Sequence, residues 1–282
     1  MSPPVVTLTI AGSDCCAGAG IQADLKTFSL LGLHGLTAIS TIVVQTPFKV
    51  HSYQEVSPET LTEQIQVLLE SYPIAAIKTG LLGSSSHISA VAAALTGTKI
   101  PLVIDPVLSA SSGADFGSPA AVEAYMTELL PLALVTTPNL PEALRLLRQN
   151  HDLDSERPCP NEIAKELSSS LGISVLLTGG HSVTEGLLID TFYSRGTTRE
   201  FTHPWIDLPS SHGTGCTHSA AITGLLALGY DLEQAIPMAQ ALMTHILTTS
   251  YHWPLEERSQ EIHALNQLPP KSANFFGGIE LE

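Results

Sequence analysis

From Val5 onward, short β-branched runs take turns with segments of helical spacing, and this alternation leaves the chain few architectures to choose from. VVTLTI (Val5–Ile10), AISTIVV (Ala38–Val44), IAAIKTG, PLVIDPV, LALVTTPN and ISVLLTGG read as strands, bounded by glycine, proline or polar residues. GIQADLKTFSLLG (Gly20–Gly32) places Ile21, Leu25, Phe28 and Leu31 at helical spacing, with Gly32 as a stop. SPETLTEQIQVLLESY (Ser57–Tyr72) opens with Ser57 as N-cap, Pro58 in the first helical position and acidic Glu59 next. Further helices are predicted at Ser86–Leu95, around Pro119–Leu130, in PEALRLLRQ and NEIAKELSSSLG, and at Thr217–Leu228 and Leu232–Thr249. GLLIDTFYS and TTREFTH read as an antiparallel hairpin. Strands alternating with helices of about ten or more residues build a mostly parallel sheet with helices on both faces. The expectation is an α/β fold of that kind with an antiparallel edge hairpin. No repeat, low-complexity linker or composition break divides the 282 residues, so 1–267 read as one domain and 268–282 as a C-terminal tail.

The charge balance narrows the partners. Lys and Arg number 12 against 27 Asp and Glu, a net charge of −15 without any basic run. Nucleic acid and anionic membrane are poor partners for such a chain, and any phosphate must be held by backbone N–H groups, a metal or a few placed cations. The start MSPPVVTLTIAGSD lacks a basic region and a long apolar run, and no stretch is apolar enough to span a bilayer. The four cysteines are Cys15, Cys16, Cys159 and Cys216. Adjacent Cys15 and Cys16 cannot form an ordinary disulfide, and no CxxC pair exists for zinc, so free thiols in a cytoplasmic protein are expected.

Polar clusters recur at the predicted strand ends, where open α/β sheets bind ligands. GAGIQA (Gly18–Ala23) matches a dinucleotide-binding turn, but the loop from Ile10 is too long for it. The expected acidic residue about 20 positions on is also missing. The segment is left as a flexible start to a helix or as a small-molecule pocket. In a pocket, Gly18 and Gly20 would let the backbone approach a ligand and Asp24 would accept from it; alternatively Asp24 only complements the helix dipole. SHGTGC offers Gly213 and Gly215 ahead of a small-residue helix, a pattern suited to an anion nest at a helix N-terminus, or simply to a glycine-rich start with a buried cysteine. In TPNLPEA, Glu142 with Asp105 could hold Mg2+ through water, or Asn139 and Glu142 could be an N-cap and its N3 partner. LTGGH could face a phosphate tail or form a turn, and His181, His212 and His218 lack metal-ligand spacing.

LTIAGSDCCAGAGIQADLKTFSLLGLHG, AIKTGLLGS, VIDPVLSASSG, TPNLPEA, GGH and HGTGCTHSAAI, taken in order, resemble the hydroxymethylpyrimidine/phosphomethylpyrimidine kinases of thiamin biosynthesis, within the ribokinase-like superfamily. The resemblance runs from near residue 7 to about 245. It implies ATP, Mg2+, phosphorylation of a pyrimidine, and a homodimer. It puts Gly12, Gly18, Gly20, Asp24, Gln45 and Leu81 at the pyrimidine. Asp105, Asn139, Glu142, Thr178 and Gly180 fall at ATP, with Asp105 and Glu142 toward the metal. Gly213, Thr214, Gly215 and Cys216 form an anion hole, and Cys216 is also a proton acceptor where many relatives carry aspartate. The glycine nest is expected to lower the Cys216 pKa. Departures are Thr178 in place of a phosphate-facing lysine, Ser111 where lysine or threonine is usual, and Cys15–Cys16 in place of small hydroxyl residues. Lys78 is not expected to compensate for Thr178. The alternatives are a pyridoxal kinase of the GTGC type, whose lid cysteine would align with Ala110, and a non-catalytic pyrimidine-binding homologue.

Overall fold

A computed structural model describes residues 2–109, 115–147, 159–179, 183–184, 186–208, 212–255 and 260–268. Its strands are β1 (Val6–Asp14), β2 (His34–Thr46), β3 (Lys49–Glu55), β4 (Ile74–Thr79), β5 (Leu102–Ile104), β6 (Val135–Thr136), β7 (Ser174–Leu177), β8 (Val183–Thr184), β9 (Leu187–Ser194), β10 (Thr197–Pro204), β11 (Tyr251–Leu255) and β12 (Gln260–Ala264). Ten of them form one sheet in the order β10-β9-β7-β6-β5-β4-β1-β2-β3, with β8 pairing onto β9. β2, β1, β4, β5, β6 and β7 run parallel to one another, and β9 pairs antiparallel with β7. The β9–β10 hairpin lies at one edge, as the sequence indicates. β3 adds an antiparallel strand at the other edge, and β11–β12 forms a separate hairpin. Neither was legible in the sequence: β3 is exposed or half-exposed throughout and lacks an apolar period, and β11 carries Pro254.

The helices are α1 (Gly20–Leu30), α2 (Pro58–Ser71), α3 (Ser85–Leu95), α4 (Pro119–Ala124), α5 (Leu140–Leu146), α6 (Pro160–Leu171), α7 (Thr214–Ala227) and α8 (Leu232–Thr248). The strand period of two decides what covers each face. Ile77, Leu102, Ile104, Val175 and Leu177 pack with Leu61 and Ile65 of α2, Ile88 and Val91 of α3 and Ile163 of α6. The intervening Ala76, Val103, Val135 and Leu176 pack with Ala221, Ile222 and Leu225 of α7 and Ala235, Ile236 and Ala239 of α8. The predicted helix Pro119–Leu130 is only α-helical to Ala124. A π turn at Tyr125–Leu129 and a 3-10 turn at Leu130–Leu132 follow, where Pro131 removes a backbone donor. Of the expected tail, only Leu268 is described.

Two boundaries shape the site. β1 continues past Ile10 to Asp14 across an irregularity between Ala11 and Ser13. α7 begins at Thr214, three residues ahead of the expected Thr217, because Gly213 adopts the left-handed conformation (φ 83°) and caps it.

Candidate active site

The parallel strands all present their C-terminal ends to one cavity of about 440 Å³. β1 supplies Gly12 and Asp14, β2 Gln45, β4 Lys78, and the residues just beyond β5, β6 and β7 supply Asp105, Asn139 and Thr178. Gly213–Cys216 enters the same cavity from α7. This is the crevice that strand direction predicts for a doubly covered sheet.

Of the residues expected at the pyrimidine, Gly12, Gly20, Gln45 and Leu81 line the cavity. Gly20 has φ 58°, and a Cβ there would collide with the Gly12 carbonyl. Gly18 is not on the lining; it lies behind His212, whose ring a Cβ at Gly18 would strike. Asp24 is not on it either. It is fully buried, with one oxygen 2.7 Å from Lys78 Nζ and the other accepting from Thr9 Oγ1 at 2.6 Å. The physical reason is charge pairing: a carboxylate this deep is stable only against a cation and a donor, and Lys78 supplies the cation. Asp14 performs the loop work instead. It accepts from the N–H groups of Cys16, Gly18 and Ala19 at 2.9, 3.0 and 2.9 Å and lies 3.1 Å from His212 Nε2. Burial opposes its charge, yet the bonds from His212, Gln45 and the loop outweigh burial and hold its pKa near 2.

Asn139 and Glu142 line the cavity and also form a capping box: Glu142 N donates to Asn139 Oδ1 at 2.9 Å, and Asn139 N donates to Glu142 Oε2 at 3.0 Å. The capping reading of this motif is the one realised, and both residues still face the cavity. Burial first, and then the charge of Asp105, raise the Glu142 pKa to about 8. Asp105 is raised by burial too, although Lys78 and a hydrogen bond from Ser219 Oγ at 3.0 Å oppose this. Thr178 stands on the lining beyond β7, its N–H donating to the Pro138 carbonyl at 2.9 Å. Gly180, His181, Ser111 and Ala110 lie outside the described residues.

Gly213 caps α7 without any side chain, so among the described residues no cap side chain accepts from the first N–H groups of the helix, and Thr214, Gly215 and Cys216 line the cavity. A Cβ at Gly215 would meet nothing, whereas one at Gly213 would strike the Gly18 carbonyl. A Gly213→Ala variant is expected to lose about 1–3 kcal/mol of stability and to weaken ADP binding, since αL backbone strain and the clash both displace the helix start. Urea unfolding and a nucleotide titration on the same preparation check this. The expectation that the nest lowers the Cys216 pKa is overturned: the thiol is pushed up to about 12. Burial is the largest cause, and Asp105 and Asp24 add to it, against Lys78 and the Gly20 N–H.

Lys78 is the main residue that sequence reasoning set aside. It is fully buried, lines the cavity and faces Asp24, Asp105 and Cys216. Burial favours the neutral amine, but Asp24 and its neighbours outweigh that and raise its pKa. A second missed group is Asp190, which accepts from Gly179 N and Gln240 Nε2 at 2.7 Å each and lies 3.3 Å from His203 Nε2. His218 stands on the same lining, lowered by burial. The only sequence signal for Lys78 was a cation inside an apolar strand, a placement that requires a partner.

A family model described as phosphomethylpyrimidine kinase matches residues 14–262. The chain is 38% identical over 238 residues to the thiamine biosynthesis bifunctional protein ThiED of Geobacter sulfurreducens, covering 84% of this chain and 48% of that protein. It therefore spans about half the length of that relative. It is 37% identical over 250 residues to the hydroxymethylpyrimidine/phosphomethylpyrimidine kinase of Haemophilus influenzae, covering 86% of this chain and 91% of the other. Among solved structures it is similar to an ADP complex of Bacillus subtilis pyridoxal kinase, with a TM-score of 0.80 at 32% identity, covering 94% and 98% of the two chains.

Proposed function

The chain belongs to the phosphomethylpyrimidine kinase family, and from that premise we propose that it transfers the γ-phosphoryl group of ATP to 4-amino-5-hydroxymethyl-2-methylpyrimidine, to its monophosphate, or to both, in thiamin biosynthesis. The observation that carries this reading is the convergence in one cavity of an uncapped helix N-terminus, a buried lysine, two buried carboxylates and Gln45. Phosphoryl transfer needs alignment and charge stabilisation more than covalent chemistry, and this set supplies both. The N–H groups of Thr214, Gly215 and Cys216 hold the transferring group's oxygens, and Lys78 adds a fixed positive charge. Gln45 and the Gly20 turn orient the pyrimidine so that its hydroxyl approaches Cys216; the cysteine first loses its own proton to solvent, and the thiolate Sγ then takes the hydroxyl proton.

Asp105 and Glu142 fit Mg2+ by the chemistry of the donor set: two hard carboxylates facing one cavity, with Asp105 raising Glu142's hold on its proton. When bound through these residues and water, the metal neutralises charge on the nucleotide phosphates. A consequence concerns protons. Near pH 7, Glu142 holds its proton in the free protein, because its pKa is about 8. A cation displaces that proton, so Mg-nucleotide binding is expected to release close to one proton near pH 7 and almost none above about pH 9. Affinity should rise with pH across this window. Calorimetry in buffers of different ionisation enthalpy measures the release; heats independent of buffer, or a release unchanged in Glu142→Gln, contradict it.

Support for a second reading, pyridoxal phosphorylation, comes from the likeness to the pyridoxal kinase fold. ADP production with hydroxymethylpyrimidine, its monophosphate and pyridoxal, with and without Mg2+, decides between them. Turnover on either pyrimidine supports the proposal, and turnover on pyridoxal alone overturns it. ATP consumption absent with all three, in a protein that still binds the pyrimidine, shows a binding homologue. We read the protein as a cytoplasmic homodimer: its described cysteines are free, and Ile42 and Val44 are 51% and 50% exposed on β2, an apolar face that a second copy would cover. Sedimentation tests the dimer. No helix among the described residues is long and apolar enough to cross a membrane.

A further inference from the structure

Neighbouring side chains on an extended chain diverge, yet the thiols of Cys15 and Cys16 converge. Both donate to the carbonyl oxygen of Gln45, at 3.3 and 2.8 Å. The loop that brings them together is built on Asp14, which gathers three of its backbone N–H groups, and it passes through Ala17 at φ 58°, a conformation unusual outside glycine. Ligand atoms of Asp14, Cys15 and Cys16 all lie within 4.8 Å of one another. Two sulfurs on one tetrahedral zinc stand about 3.8 Å apart at ordinary Zn–S lengths, so small side-chain rotations would close the set around an ion. His212 Nε2, 3.1 Å from the Asp14 carboxylate, offers a fourth donor at its edge.

We propose that Asp14, Cys15 and Cys16 form a site for a thiophilic divalent cation, Zn2+ or Cd2+ in chemistry, and that its occupancy hinders the pyrimidine pocket. Two thiolates and a carboxylate suit a borderline or soft ion, whereas Mg2+ demands oxygen and does not compete. Metal binding displaces both thiol protons to solvent and involves no change of oxidation state. The coupling to the pocket follows from position: Asp14, Gln45 and His212 all line the cavity, and loss of both thiol protons to solvent ends the S–H donations that hold the loop against the Gln45 carbonyl at the end of β2. This second half rests on the proposed pyrimidine kinase activity; the metal site itself does not.

The test is a Cd2+ titration of the full-length, metal-free protein in excess Mg2+, followed by the thiolate-to-cadmium charge-transfer band in the ultraviolet. The band should saturate at one ion per chain, weaken in Cys15→Ser and in Cys16→Ser, and vanish in the double variant. No saturable band, or a band that survives the double variant, overturns the site. An independent measurement on the unaltered chain guards against a variant that fails to fold. One equivalent of Cd2+ should protect Cys15 and Cys16 from N-ethylmaleimide, read by peptide mass spectrometry, while exposed Cys159 still reacts; equal labelling with and without the ion also overturns the site. For the pocket, Zn2+ should weaken binding of hydroxymethylpyrimidine by about tenfold, a coupling in the range usual between two sites. The double variant should show no such effect. Zn2+ that binds without shifting that affinity overturns the coupling alone. A metal-free protein that binds no pyrimidine counts against the proposed function and leaves the cadmium result standing.

Discussion

A Lys78→Met variant is expected to lose about 3–5 kcal/mol of stability and about two to three orders of magnitude in kcat. The two losses have different origins, and the pairing with Asp24 separates them. Both side chains are fully buried and 2.7 Å apart. Removing the ammonium leaves a carboxylate in the interior with only the Thr9 hydroxyl to answer it. That is costly because the charge cannot reach water and protonation must replace it. Neutralising both partners, as in Asp24→Asn with Lys78→Met, removes the stranded charge and should recover much of the stability. It should recover almost none of the turnover, since the cavity still lacks its buried cation in a chain of net charge −15. Urea unfolding and steady-state ADP release on the single and double variants make the comparison. A single variant with full activity would remove Lys78 from the catalytic reading. A double variant as unstable as the single would show that the charge pair is not the cause of the stability loss.

Lys78 also marks where the sequence stops being informative. The strand-end residues Gln45, Asp105 and Asn139 are legible because each is a polar residue interrupting or ending an apolar run. Local pattern reports such a break without knowledge of the fold. Asp24 is locally a carboxylate in the first turns of a helix, which pattern leaves open between a ligand acceptor and a dipole partner, and only the resemblance puts it at the ligand. Its true partner is 54 residues away, and only the parallel pairing of β1 with β4 brings them together. Asp190, His203, His218 and Gln240 are likewise assembled from a hairpin and two helices. No spacing in the chain records that meeting. The fold itself is more legible because alternating faces repeat in every strand, so its evidence accumulates. Where strands fail to alternate, as in β3 or in β1 beyond Ile10, the pairing is carried by backbone hydrogen bonds, and side-chain pattern is silent.

The Cys216 pKa, pushed up to about 12 by burial, Asp105 and Asp24, changes how this residue can act. A preformed thiolate would give a rate independent of pH above neutrality. With a thiol this weak, only the small thiolate fraction acts as the base, and it takes the hydroxyl proton as phosphoryl transfer proceeds, which suits a loose transition state. The rate constant kcat/KM is therefore expected to climb with pH from about 6 to 10 without a plateau, since the thiolate fraction grows throughout that range. Stability should move the opposite way. The folded thiol resists deprotonation relative to an unfolded value near 8.5, so its contribution is complete below that pH and is lost as pH rises toward the folded value. Cys216→Ala should lower kcat by about 10²–10⁴ while leaving the KM for ATP nearly unchanged, because the groups that hold the phosphate are backbone N–H groups that alanine also carries. Cys216→Asp restores an acceptor of the kind the wider superfamily resemblance implies, and Lys78 is at hand to hold its charge. It should recover much of the lost turnover and flatten the alkaline arm of the profile, because a carboxylate is already ionised there. Wild-type turnover in the alanine variant, or an aspartate variant whose profile still climbs, would move the proton acceptor away from residue 216 and leave α7 with the anion hole as its whole contribution.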